Sequence, residues 1–102
     1  CTNGSVEATL SVIGGKWKPI ILYQLVFGTR RFGEIAARIP TISRKVLTEQ
    51  LKELESDKLI KREHYKEIPP RVEYSLTELG ESLMPLFQEM ARWGNKYILL
   101  RQ

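Results

Sequence analysis

The chain has 102 residues, 42% hydrophobic and 27% charged, with a formal net charge of +4 and a single cysteine. This composition predicts one globular domain over residues 1–102. The lone Cys1 excludes an intramolecular disulfide, and with a lone His64 it also excludes a multi-residue metal site. We therefore expect no metal and no cofactor. No apolar run reaches the roughly 20 residues that cross a bilayer and no signal-peptide pattern is present, so we expect a cytoplasmic protein without membrane contact.

Two helices are predicted before residue 28. Val6, Leu10 and Ile13 recur at helical spacing and indicate a short amphipathic helix within residues 1–14. The next helix, Pro19–Phe27, has a proline in its first turn, ends at Gly28 and is apolar on nearly every side. We therefore expect it to be the buried centre of the fold.

A pair of short helices follows, separated by Pro40. The first is indicated by apolar residues at helical spacing, namely Phe32, Ile35, Ala36 and Ile39. Pro40 prevents this helix from continuing into the second one, Ser43–Ser56, for which Ser43 is the expected N-cap. Leucines at positions 47, 51 and 54 give the second helix one buried stripe. The opposite, exposed stripe carries Lys45, Thr48, Glu49 and Lys52.

The start of this second helix has an unusual charge. Arg44 and Lys45 lie at the helix end whose dipole favours anions, which costs about 0.3 to 1 kcal/mol for each cation. A bound phosphate would reverse the sign of that energy, because two cations and unpaired backbone N–H groups would point at it. The alternative is that both are ordinary solvated charges. Residues 28–77 hold eleven Lys/Arg against eight Asp/Glu, and this positive excess is consistent with a surface that binds the phosphates of DNA.

These features predict a DNA contact surface with separate roles for its residues. The exposed stripe of the second helix is expected to face base edges, while Arg44 and the Ser43 backbone hold a phosphate. Glu49 differs from the others because a carboxylate repels phosphate but accepts a hydrogen bond from a cytosine amino group. Four further cations could reach flanking phosphates: Lys16, Lys18, Arg30 and Arg31.

A two-stranded hairpin is predicted over residues 60–77, which we call the wing. Val72, Tyr74 and Leu76 alternate with polar residues as in a half-buried strand, and the charged segment Lys61–Lys66 is its partner. Between the strands Lys66 and Arg71 flank a stiff Pro-Pro pair. Two interpretations stay open: a tip that touches DNA backbone or minor groove, and an edge strand protected by charge and proline.

One long helix is predicted from its N-cap Thr77 through residues 78–102, with a kink at Pro85. This helix and the first one carry more apolar surface than one small core can cover, which favours a homodimer through the terminal helices. The alternative is an irregular core helix with frayed apolar ends. The expected dimer contacts are Val6, Leu10, Ile13, Met90, Trp93 and Tyr97.

Several separated motifs of the chain resemble those of one family. They are Ile13–Lys18 (IGGKWK), Arg31–Phe32, Pro69–Thr77 (PPRVEYSLT) and Trp93–Gly94, which look like the signature of HxlR-type winged helix-turn-helix regulators, relatives of the MarR group in bacteria. The resemblance implies a dimeric transcription factor with the second helix of the pair in the major groove and the wings on DNA. It also implies a redox or electrophile sensor at Cys1, although the family commonly has proline after this cysteine and this chain has Thr2.

The sequence thus predicts a mainly α fold with a small β-hairpin (α+β), in which residues 15–77 form the DNA-binding core. The first hypothesis is a homodimeric regulator, a repressor on a palindromic double-stranded DNA operator, responsive to thiol oxidation. The alternative is a winged-helix protein-interaction module without DNA binding. An enzyme is not expected, because there is no glycine-rich phosphate loop and no nucleophile with a base partner. The sequence identifies no small-molecule inducer.

Overall fold

The computed structural model describes residues 3–101. Over this range the chain forms six helices and a small antiparallel sheet. In chain order the elements are α1 (Asn3–Ile13), α2 (Trp17–Val26), β1 (Arg30–Arg31), α3 (Phe32–Arg38), α4 (Arg44–Ser56), β2 (Ile60–Tyr65), β3 (Arg71–Leu76), α5 (Glu78–Glu81) and α6 (Met84–Leu100). In the described part of the chain, no helix is long and apolar enough to cross a membrane.

The core lies where α2, α3 and α4 meet the sheet. Its buried side chains include the predicted leucine stripe of α4, which is confirmed, and three residues of α2, namely Ile21, Leu22 and Leu25. The expectation that α2 is buried on nearly every side is wrong, because Ile20 and Phe27 are exposed. Only one face of a helix can contact a core of this size, so the apolar residues on its other face reach the surface.

The sheet has three strands in the order β1-β3-β2, where the sequence predicted a two-stranded hairpin. The hairpin itself is confirmed, and its register pairs Ile60 with Leu76 and Arg62 with Tyr74. The additional strand is β1, in which Arg30 pairs with Tyr74 on the other side of β3. Two residues are too few to show an alternating pattern, so β1 had no signal in the sequence. It joins the sheet to the start of α3.

The C-terminal part is two helices rather than one long kinked helix. Thr77 caps the short α5, accepting a hydrogen bond from the Gly80 N–H at 3.1 Å, and its hydroxyl donates to the Lys58 carbonyl at 2.7 Å. Pro85 lies in the first turn of α6, so the predicted kink is wrong. Proline has no N–H to donate and its ring crowds the preceding turn, which favours the start of a new helix at this position.

Candidate nucleic-acid interface

Helix α4 presents its polar stripe to solvent. Ser43 has an extended backbone and its Oγ accepts a hydrogen bond from the Val46 N–H at 3.1 Å, so the predicted N-cap is confirmed. All side chains proposed for DNA contact on this helix are exposed: Arg44, Lys45, Thr48, Glu49 and Lys52. Within residues 3–101 none of these charged side chains takes part in an ion pair. Their charges are therefore available to an external partner.

The first turn of α4 has additional internal contacts. The Arg44 guanidinium lies 5.5 Å from the centre of the Phe32 ring, which connects the beginnings of α3 and α4. The Thr48 hydroxyl donates to the Arg44 carbonyl at 2.8 Å. Because its hydrogen is engaged, the Thr48 oxygen has only acceptor capacity left, which suits an amino group of a base better than a phosphate.

The two lysines beside α2 differ in their surroundings. Lys16 is exposed, with its ammonium 4.6 Å from the centre of the Trp17 ring. The side chain of Lys18 is only 12% exposed, and its Nζ lies 2.7 Å from a carboxylate oxygen of Glu53 on α4. The expectation that Lys18 reaches a flanking phosphate is not supported, because its charge is already paired with Glu53. The pair instead links α2 to α4.

The two arginines of β1 also differ. Arg30 is half-buried and its Nε donates to the Gln24 carbonyl at 3.0 Å. The side chain of Arg31 is exposed, while its backbone N–H donates to the Glu34 carboxylate at 2.7 Å, which stabilises the beginning of α3. Of the two, Arg31 is the more exposed, and its side chain is accessible to a phosphate.

The stem of the wing is held together by Arg71. Its guanidinium lies 3.1 Å from a Glu67 oxygen, 3.5 Å from a Glu73 oxygen and 4.2 Å from the centre of the Tyr65 ring. The Tyr65 hydroxyl donates to Glu63 at 3.3 Å, and the negative charge of Glu63 raises the pKa of Tyr65. Arg71 therefore braces the hairpin. Beyond it the exposed tip presents Lys66 and the fully exposed apolar side chain of Ile68.

One cation with a suitable position was missed by the sequence reasoning. Arg62 on β2 is exposed and lines a cleft of about 290 Å³ between the sheet and α4, together with Lys52 and Tyr74. The alternation of side-chain directions along β2 could have identified Arg62 from the sequence. Two residues after buried Ile60, Arg62 lies on the same face of the strand and therefore turns toward the helix.

The remaining sequence-derived candidates lie on α1 and α6. Five of the six expected dimer contacts are exposed, namely Val6, Leu10, Met90, Trp93 and Tyr97. Ile13 is the exception, because it is only 4% exposed and packs into the core of its own protomer. An apolar groove of about 520 Å³ lies between the two helices, lined by Val6, Leu10, Leu86 and Met90 among others. The expected sensor, Cys1, lies outside the described residues.

Comparisons with known proteins agree with this arrangement. A family model described as HxlR-like helix-turn-helix matches residues 12–102. The HTH-type transcriptional regulator YdeP of Bacillus subtilis (strain 168) is 54% identical over 92 residues, which are 90% of this chain and 72% of that protein. Among solved structures, the redox regulator HypR in its oxidized form has a TM-score of 0.87 and 49% identity, covering 90% of this chain and 95% of that chain.

A transcriptional regulator of the MarR family from Porphyromonas gingivalis W83 is also similar in structure. It has a TM-score of 0.86 and 41% identity, and the match covers 92% of each chain. The family resemblance found in the sequence is therefore confirmed. The chain belongs to the HxlR-like helix-turn-helix family and is a transcription regulator with a winged helix-turn-helix fold.

Proposed function

We propose that this protein is a homodimeric regulator that binds a palindromic DNA operator through α4 and acts as a repressor. The observation that carries the proposal is the exposed polar stripe of α4 opposite its buried leucines, whose charged side chains form no ion pair within residues 3–101. Two cations at the beginning of the helix have no carboxylate partner in the described part of the chain. A duplex phosphate would supply the missing negative charge where the helix dipole favours it.

The roles of the α4 residues follow from their positions. Arg44 and the backbone at Ser43 bind a phosphate, while Lys45, Thr48, Glu49 and Lys52 contact base edges in the major groove. Three exposed cations contact the flanking backbone: Lys16, Arg31 and Lys66. Arg30 and Arg71 contribute instead by stabilising β1 and the wing stem. Lys18 is not included, because Glu53 neutralises it.

The dimer is proposed to form through α1 and α6. The apolar side chains exposed there are too numerous for a stable isolated surface, and they adjoin the groove between the two helices. A two-fold axis through this surface would make the contact self-complementary. It would also place each of the two α4 helices at one half-site of the same operator. The proposed division is residues 1–14 and 78–102 for the dimer and residues 15–77 for DNA.

A thiol response through Cys1 belongs to the same proposal. Its support is the similarity to a solved structure named as a redox regulator, together with the position of Cys1 just before α1. With one thiol per chain, oxidation can give a disulfide between two subunits, a mixed disulfide with a small thiol, or a sulfenic acid.

Selection of bound duplexes from a random pool tests the proposal, with reduced and oxidised protein compared in parallel. We expect a palindromic sequence to be selected by the reduced protein and lost after oxidation. Affinity should fall steeply with salt concentration, and the double variant Arg44→Ala/Lys45→Ala should flatten that dependence. Lys61→Ala, on the face of β2 that turns away from α4, is the control. A protein-interaction module without DNA binding would select no sequence and bind duplex at the nonspecific level.

Repression is tested separately with a reporter gene under control of the selected operator. Expression should be lower with the wild-type protein than with the Arg44→Ala/Lys45→Ala variant at equal protein levels. Higher expression with the wild-type protein would show activation and would overturn the repressor role while leaving DNA binding intact.

A further inference from the structure

The cleft between α4 and the sheet is lined by side chains of which only some belong to the exposed stripe of α4. The register places Arg62 directly opposite Tyr74 on neighbouring strands, so both residues lie on the face of the hairpin that packs against α4. On the helix, Thr48, Lys52 and Glu55 follow one another at helical spacing along the facing rim. These five residues together with Leu51 line the cleft of about 290 Å³.

The chemistry of this cleft favours an anion. Lys52 and Arg62 bring two positive charges to it, and within residues 3–101 neither side chain forms an ion pair. Tyr74 adds a phenol group, which can donate a further hydrogen bond. Glu55 is the one carboxylate in the lining. The net charge of the lining is therefore positive, and an arginine next to a lysine is a combination that binds phosphate.

We infer that this cleft binds one phosphate of the DNA backbone beside the major groove, an inference that rests on the proposed function. Two residues of the cleft, Thr48 and Lys52, also belong to the exposed stripe of α4. An anion held here would lie immediately next to the surface that faces the bases. The inference adds Arg62 to the contact residues and moves Lys52 from base recognition to backbone contact.

The presence of Glu55 distinguishes a DNA phosphate from a free phosphate ion. A small anion would have only the contacts of the cleft to offset repulsion by the carboxylate. A phosphate of a bound duplex is held nearby by the other contacts of α4 and the wing, so its effective concentration at the cleft is high. Glu55 then lowers nonspecific affinity for anions without preventing the contact in the complex.

The decisive measurement is the salt dependence of duplex binding. Each phosphate contact contributes about 0.9 to the slope of log affinity against log salt concentration. We expect Arg62→Ala and Lys52→Ala each to lower the slope by about this amount and to weaken binding about tenfold, the range of a charge-assisted hydrogen bond. The loss should be the same for all operator sequences, because a backbone contact carries no base information. Arg62→Lys should keep the slope.

Lys61→Ala is the matched control for Arg62→Ala. It removes one exposed cation from the neighbouring position of the same strand, on the face directed away from α4. Glu55→Gln should have the opposite effect and increase affinity, because it removes repulsion of the phosphate. Thermal unfolding of each variant, followed by circular dichroism, verifies that the fold is retained. The inference is wrong if Arg62→Ala and Lys61→Ala give the same slope.

Two further experiments are needed. The first distinguishes a DNA phosphate from a free phosphate ion, and the second distinguishes failure of the Arg62 contact from failure of the proposed function. Inorganic phosphate is titrated at constant ionic strength, and chemical shifts of Lys52 and Arg62 are followed by nuclear magnetic resonance. Saturation at millimolar or lower phosphate would identify a site for a free ion and overturn the DNA assignment. The salt slopes are measured on the selected operator and on a random duplex. Absence of any selected operator would refute the proposed function, while the random duplex still decides the role of Arg62.

Discussion

Replacement of Trp93 tests the proposed dimer surface most directly. Trp93 is 65% exposed on α6, and its ring stacks on that of Tyr97 with centroids 5.2 Å apart. A tryptophan side chain can bury about 250 Å², so roughly 160 Å² of Trp93 is still accessible in the protomer. At about 25 cal/mol per Å², covering this area stabilises the dimer by up to about 4 kcal/mol per side chain.

The two copies in a symmetric dimer would together contribute up to about 8 kcal/mol. An interface side chain is rarely covered completely, and alanine retains part of the contact. We therefore expect Trp93→Ala to cost about half of this limit, or about 4 kcal/mol, which raises the dimer dissociation constant about a thousandfold. Because both subunits would bind the operator together, operator affinity should fall in parallel.

The assay is sedimentation equilibrium over a wide range of protein concentration. Phe27→Ala is the control, because Phe27 is 63% exposed, also aromatic, and lies at the end of α2 outside α1 and α6. The control should leave the dissociation constant unchanged within a factor of a few. Equal effects of the two substitutions would refute the reasoning, since exposed aromatic area alone would then explain association. A wild-type protein that stays monomeric at every concentration would refute the dimer itself.

Three further predictions concern stability and titration. Ser43→Ala removes the N-cap of α4 and should lower the free energy of unfolding by about 1 kcal/mol in urea denaturation, and no loss would contradict the cap geometry. Gly80→Ala should destabilise by about 2 kcal/mol, because its Cβ would overlap a neighbouring backbone carbonyl, whereas Gly33→Ala has open space and serves as control. The pKa of Tyr65 is raised above 10.0 mainly by Glu63, so the free energy of unfolding should decline as the pH rises through that raised pKa. Glu63→Gln should return the titration midpoint of Tyr65 toward 10.0, as followed by ring-carbon nuclear magnetic resonance. An unchanged midpoint would exclude Glu63 as the cause.

Helix α4 and the hairpin could be predicted because several local signals agree there. The leucines of α4 recur at one spacing, and the N-cap Ser43 precedes them immediately. In the hairpin, Val72, Tyr74 and Leu76 alternate with polar residues and proline separates the strands. Each element is longer than one period of its pattern, so the pattern identifies both the type of element and the face that is buried.

Features that depend on tertiary contacts could not be predicted in this way. The pairing of β1 rests on the backbone of two arginines that lie beside β3 only once α2 and α3 have packed. The break before α6 is another such case. The apolar spacing continues from Leu83 to Leu86 and Phe87 as if one helix ran through, although the chain begins a new helix beside Pro85. Periodicity reports which residues share a face, but it does not report where the backbone is interrupted.

The contrast between Lys16 and Lys18 shows why a cation cannot be assigned to DNA from sequence alone. The two lysines are separated by one residue, yet only Lys18 lies against α4, where Glu53 is within 2.7 Å. The same helix α2 carries Ile20, which lines a second apolar groove with Met90 of α6. Helix α2 therefore contacts both α4 and α6, which is the longer helix of the proposed dimer surface. If the proposed dimer forms, the separation of its two α4 helices would depend on packing along α2. We therefore expect Lys18 to affect DNA recognition by linking α2 to α4 rather than by touching DNA.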